Sequence, residues 1–180
     1  MHRFRAAPWP TALKATSFVA TVVLAGVGFV LATKIPRGTA APVAEAFGTV
    51  LAFVPPLIAL GAALFVVTAY EVDGTELSVL RLLWSTRIPL SGLVRAWADP
   101  DAMKCSLRLF GNGGLYSFTG LFQSRALGRY RAFVTDPRRA VVLRLAKRTV
   151  VVSPGDPTFF LEQLRACFPG LGGAAPSSGA

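Results

Sequence analysis

The pattern of apolar and polar positions divides the chain into two unequal parts. Residues 15–33 read ATSFVATVVLAGVGFVLAT, an uncharged run held between Lys14 and Lys34. At about 1.5 Å per residue, a helix of that length crosses most of a hydrocarbon core about 30 Å thick. A second uncharged run covers 46–70, after a polar stretch over 34–45 whose Pro36, Gly38 and Pro42 favour a turn between antiparallel spans. The pattern predicts a transmembrane hairpin: a tail over 1–14, spans over 15–33 and 46–70, and an extracytoplasmic loop over 34–45. Pro55 and Pro56 remove two backbone donors inside the second span, so a kink is expected there, with the freed carbonyls satisfied by the first span or by water. Small residues four apart (Gly48 and Ala52, Ala59 and Ala63, Thr21 and Ala25) permit close approach of the two helices.

After Tyr70 the period changes. Asp73-Gly74 between β-prone stretches is a hairpin signal. Short strands are predicted at 75–84, 88–97, 104–110, 115–118, 129–135, 141–146 and 149–153. Turn formers at Pro100, Gly111 to Gly114, Asp136-Pro137 and Lys147-Arg148 separate them. Seven such segments imply an all-β, antiparallel sandwich or barrel. One helix closes the domain: Asp156 caps it, Pro157 takes its first position, and Phe160, Leu164 and Phe168 recur on one face beside Leu161. Pro169 and Gly170 end that helix, and the Gly, Ala, Pro and Ser tail over 169–180 has too little apolar surface to be ordered.

Charge adds sidedness. The 19 basic and 9 acidic residues leave a net charge of +10, the sign expected beside anionic lipid or nucleic acid. Arg3, Arg5 and Lys14 in the tail, with Arg81 and Arg87 after the second run, outnumber Lys34 and Arg37 in the loop. Basic flanks stay on the cytoplasmic side, so both termini are expected in the cytoplasm and the hairpin in the cytoplasmic (inner) membrane. A basic start before an apolar run is also how a secretory signal peptide begins, with Gly38-Thr39-Ala40 as the cleavage site. The run is longer than the usual signal core of about 7–15 residues, which favours a retained span.

Candidate chemistry is sparse. His2 is the only histidine, and Cys105 and Cys167 have no metal-ligand spacing and read as small core residues in a reducing compartment. The Gly111-Asn112-Gly113-Gly114 cluster lacks the lysine and hydroxyl of a phosphate loop and reads as a hairpin connection supplying positive φ. Asp99 and Asp101, flanking Pro100, read as a solvated turn rather than a carboxylate pair. No catalytic, cofactor-binding or metal-ligating set emerges, so the chain reads as a non-enzyme without cofactors. With no stacking platform or recognition helix, nucleic acid is not an expected partner.

The stretch 111–168 carries a resemblance. Gly113-Gly114-Leu115, Thr119-Gly120-Leu121-Phe122, the run from Leu127-Gly128-Arg129 through Phe133-Val134-Thr135, Val152-Ser153-Pro154 and the Asp-Pro-opened terminal helix are similar to bacterial pleckstrin-homology (PH-like) domains of small membrane proteins. Ile88-Pro89-Leu90-Ser91 resembles the third strand of that family, extending the similarity to about Tyr70. The resemblance implies a seven-stranded PH-like domain over 71–168 with a C-terminal helix. It brings no catalytic residues.

The basic residues are the remaining candidates. Arg125, Arg129, Arg131, Arg138 and Arg139 fall close together in sequence; on a strand over 129–135, Arg129 and Arg131 share one face and Tyr130, Ala132 and Val134 the other, with Phe133 blurring the alternation. Their plain account is a solvated outer face, their sharper one a surface that meets anionic lipid headgroups. The leading expectation is a membrane-anchored PH-like interaction or assembly module, forming a homo-oligomer or holding a membrane-protein partner. The alternatives are a lipid-sensing domain and an accessory subunit of a transporter or membrane enzyme.

Overall fold

A computed structural model describes residues 2–34 and 42–172. Both apolar runs are helical, α1 over Thr11–Lys34 and α2 over Pro42–Leu64, and both are long and apolar enough to cross a membrane. Phe18, Phe29, Phe47 and Phe53 are exposed on them. The helices meet where α1 has no side chain: a Cβ on Gly28 would lie 3.1 Å from the Ala52 carbonyl oxygen and 3.2 Å from Pro56 Cδ. Of the small residues expected at this contact Ala52 takes part, and α2 remains helical through Pro55 and Pro56. The loop residues 35–41, with the cleavage signal at Gly38-Thr39-Ala40, lie outside the described residues.

The second helix stops at Leu64, six residues before the hydropathy pattern ends it, because Val67–Val72 form strand β2. Val67, Ala69, Tyr70 and Val72 are buried there, so a strand-period segment follows the helix with no charge to mark the change. The tail expected over 1–14 opens with a strand and ends inside α1. His2–Arg5 (β1) pairs antiparallel with β2, from His2 opposite Val72 to Arg5 opposite Ala69. The helix hairpin therefore leaves from one strand and returns into its neighbour.

Strands β3 (Glu76–Arg81) and β4 (Ser85–Pro89) complete a four-stranded sheet in the order β1-β2-β3-β4. The Asp73-Gly74 hairpin joins β2 to β3 as expected: Gly74 has φ 89°, and Asp73 Oδ1 accepts from the backbone N–H groups of Thr75 (3.0 Å) and Glu76 (2.9 Å). The second sheet contains β5 (Leu93–Ala98), β6 (Leu107–Leu115), β7 (Ser117–Ser124), β8 (Gly128–Val134), β9 (Val141–Leu145) and β10 (Thr149–Val152). Its order is β5-β9-β10-β8-β7-β6, antiparallel except for the β10–β8 pair. Nine strands thus follow the helices where seven are predicted: β2 lies hidden in the second apolar run, and 88–97 divides into β4 and β5 at a turn where Gly92 has φ 85°.

Tyr70, Leu77, Val79, Phe133, Leu143 and Val150 pack between the sheets with Phe160 and Leu164 of the closing helix α3 (Pro157–Cys167). A second cluster, including Trp97, Phe122, Tyr130, Ala132, Val142 and Val151, covers the other face of the larger sheet. With both faces covered, β10 is buried along its whole length, which explains its unbroken run TVVV. Asp156 caps α3 as expected, accepting from Phe159 N at 3.0 Å. Beyond α3 the chain departs from the expected loose tail. Leu171 packs on the inter-sheet core and Gly172 bridges to Arg95 of β5; 173–180 lie outside the described residues.

The glycine cluster lies in β6 rather than in the turn after it. The chain reverses at Tyr116, which carries φ 64°, while Gly111 (φ 104°) is paired with Gly120 (φ 147°) of β7. A Cβ on Gly111 would fall 2.7 Å from Gly120 Cα, and one on Gly120 would fall 2.9 Å from Gly111 Cα and overlap the Phe110 carbonyl oxygen. Gly120→Ala is therefore expected to cost about 2 kcal/mol or more, read as a fall of several degrees in the unfolding midpoint of the detergent-solubilised chain.

A buried polar knot fastens the amino-terminal arm, residues 2–10 ahead of α1, to both sheets. Tyr70 Oη donates to the Phe133 carbonyl at 2.5 Å and accepts from Ser153 N at 3.1 Å; Ala7 N donates to Ser153 O at 2.8 Å and Thr135 Oγ1 donates to Ala7 O at 2.7 Å. Burial pushes the Tyr70 pKa up to about 12, against the hydrogen bonds from Ser153, which lower it. Since the folded value lies above the unfolded one, this contribution is complete below about pH 10 and is lost as pH rises toward 12. Denaturation titrations should show stability falling by roughly 2–3 kcal/mol across that window. Tyr70→Phe should flatten the slope while lowering stability at neutral pH by about 1–3 kcal/mol, because Phe133 O and Ser153 N lose their buried partner.

Candidate functional site

The direction of β8 decides where the predicted basic residues lie. Arg125 sits in the turn before β8, Arg129 and Arg131 lie on it, and Arg138 and Arg139 lie in the 3-10 turn Pro137–Arg139 after it. Seven strand residues at about 3.3 Å each put roughly 20 Å between the ends, so Arg125 and Arg138 do not share a site. All five side chains are exposed, and none belongs to the ion pairs among the described residues, which are Arg3–Glu71, Arg87–Glu76 and Lys104–Asp101. Arg139 donates to the Gly155 carbonyl. Arg138 borders a groove of about 390 Å³ with Leu13 and Thr16 of α1 and Phe118 of β7.

The end of the domain beside the helices is built from both strands and α1. The β6–β7 turn reaches α1: Tyr116 N donates to Ser17 Oγ at 2.9 Å, Tyr116 Oη lies 2.6 Å from Thr21 Oγ1, and the Trp9 and Tyr116 ring centroids are 6.0 Å apart. Ser117 Oγ donates to Phe65 O at 3.5 Å, just past the end of α2.

At this junction the structure assembles a cationic cluster that the sequence pattern does not single out. Arg81 ends β3, opposite Val67, and the β3–β4 turn that follows exposes Leu82, Leu83 and Trp84 at 65%, 70% and 38%. The Arg81 guanidinium carbon lies 5.1 Å from the Phe65 ring centroid, 5.6 Å from that of Trp84 and 5.4 Å from that of Phe133. Trp84 meets Phe65 edge-on at 5.1 Å. Arg131 approaches the same Phe133 ring at 5.5 Å, which places two guanidinium groups about one aromatic side chain. Arg81 Nε is buried without a hydrogen-bond partner, and Arg81 belongs to no ion pair among the described residues. Burial, and then the like charge of Arg131, lower the Arg81 pKa from its ordinary value. In sequence Arg81 is a charge at a strand end, and the only local signal is the Leu-Leu-Trp triplet of the turn after it.

Other candidates resolve plainly. Asp99 Oδ1 accepts from Asp101 N at 2.9 Å, in the manner of a turn. Cys105 is exposed at φ 53° rather than in the core, because it lies in the irregular segment before β6; Cys167 is half-buried at the end of α3. Among the described residues no three His, Cys, Asp or Glu side chains group as metal ligands.

No curated protein and no solved structure matches the chain. The family model of the bacterial PH domain matches residues 68–167, a stretch that opens inside β2 and closes with the last residue of α3. With more than half of its length under that match, and with two sheets closed by a C-terminal helix, the chain belongs to the bacterial PH domain family.

Proposed function

We propose that this chain is a two-span protein of the cytoplasmic membrane that holds its PH domain against the cytoplasmic face as a non-enzymatic interaction and assembly module. The observation that carries this reading is the β1–β2 pairing. It joins the start of α1 and the end of α2 to one sheet, with two residues between Leu64 and Val67, so the domain is clamped to the helix pair. The basic flanks favour the cytoplasmic side for the domain and both termini. A module built to present a surface needs a free one. Edge strand β6 exposes Leu107, Leu109 and Phe110 at 68%, 42% and 79%, an apolar edge suited to a second copy or a membrane-protein partner.

The exposed Cys105 gives a direct test of sidedness and company. In a Cys167→Ser background, a membrane-impermeant maleimide should label Cys105 only after the cells are opened; labelling of intact cells would reverse the proposed orientation. Crosslinking from Cys105 in native membranes should give a species larger than the monomer, and recovery of monomer alone would count against assembly. Recovery with a large polytopic protein would instead make the chain an accessory subunit.

A second reading, attraction of the basic surface to anionic lipid, is favoured by the arginine pair at the junction of domain and helices. Membrane preparations of the full chain should then retain more anionic than zwitterionic lipid, and raising salt should weaken that preference. A preference absent at low salt would remove this reading.

A further inference from the structure

We infer that Arg81 and Arg131, with Phe65 and Trp84, form a site for the phosphodiester group of an anionic membrane phospholipid, seated where α2 meets the domain. The inference rests on the anionic-lipid reading and narrows it from a diffuse basic face to two side chains.

Position is the first support. Phe65 directly follows α2, and Trp84 packs on it, so a bilayer around α2 places both rings at the boundary between acyl chains and headgroups. The exposed Leu82 and Leu83 beside them then meet acyl chains rather than water. Arg81 directly precedes this apolar tip, at the depth of the phosphate layer.

Charge is the second. Two guanidinium groups share the Phe133 ring without a carboxylate among the described residues to neutralise either, and Arg81 Nε is a buried donor without an acceptor. A phosphodiester supplies one negative charge and oxygens that accept from both arginines. The surrounding rings orient Arg81 and exclude water, which strengthens such a contact. Of the other four candidate arginines, Arg125 and Arg129 lie toward the end of β8 remote from the helices, Arg138 borders the separate groove against α1, and Arg139 is engaged with Gly155.

The test uses the intact chain, purified in mild detergent and offered phosphatidylglycerol and phosphatidylcholine in competition, with bound lipid counted by native mass spectrometry. Wild type should prefer phosphatidylglycerol, and Arg81→Gln and Arg131→Gln should each reduce the preference about fivefold. An Arg125→Gln, Arg129→Gln double variant should keep it. Arg131 is exposed, so its variant remains informative even if Arg81→Gln fails to fold. Wild-type preference that survives both junction variants overturns this site while leaving the broader lipid reading intact; no preference in wild type overturns both. Displacement of bound phosphatidylglycerol by millimolar inorganic phosphate would assign the site to a soluble anion instead of a lipid.

Discussion

The pairing of β1 with β2 is the constraint on which the rest of the structure depends. A helix hairpin joined to a domain by one chain crossing could tilt and swing about that connection. Here the chain enters α1 from one strand and leaves α2 into the strand beside it, so ladder hydrogen bonds set the spacing of both helix ends. The Tyr70 knot locks this arrangement from the inside, since the phenol on β2 bonds to Phe133 of β8 and to Ser153 just past β10, while Ala7 of the amino-terminal arm bonds to Ser153 and Thr135. Buried polar groups held this way are costly to leave unpaired, which gives the junction a single geometry.

That geometry governs which surfaces the domain presents. Because β8 runs toward the helices, its two ends carry different chemistry. Arg125 and Arg129 lie toward the remote end in open solvent, while Phe133 lies near the helices, under the guanidinium groups of Arg81 and Arg131. Phe133 also explains why the alternation along β8 is imperfect. The face that carries Arg129 and Arg131 is the inter-sheet face, and it passes from solvent into the core within the length of the strand. β3 runs the other way: Leu77 and Val79 are fully buried and Arg81 emerges at the rim. Two strands from opposite sheets thus deliver one guanidinium group each to the Phe133 ring, that of Arg81 also meeting Phe65 just past the end of α2.

Much of the plan is legible in the residues. The two apolar runs, the Asp73-Gly74 hairpin, the Asp156 cap of α3 and the family resemblance over the β-rich part all agree with the structure. The departures have specific causes. β2 is invisible to hydropathy because it continues an apolar run with no charge before Glu71. β1 is invisible because HRFR has no strand signature without its partner. The glycine cluster reads as a turn, yet Gly111 and Gly120 serve a close backbone approach between paired strands, with the reversal left to Tyr116.

Local chemistry in the sequence thus determined the elements, since a helix long enough to cross a bilayer, a capped amphipathic helix and an Asp-Gly turn depend on residues adjacent in the chain. Tertiary structure alone decided which elements meet: that the amino-terminal arm joins the sheet, that five nearby arginines are parted, and that Arg81 and Arg131 converge. The physical reason is that strand pairing and the clustering of like charges join residues far apart in sequence. No local period records such a partner, and only packing brings it into reach.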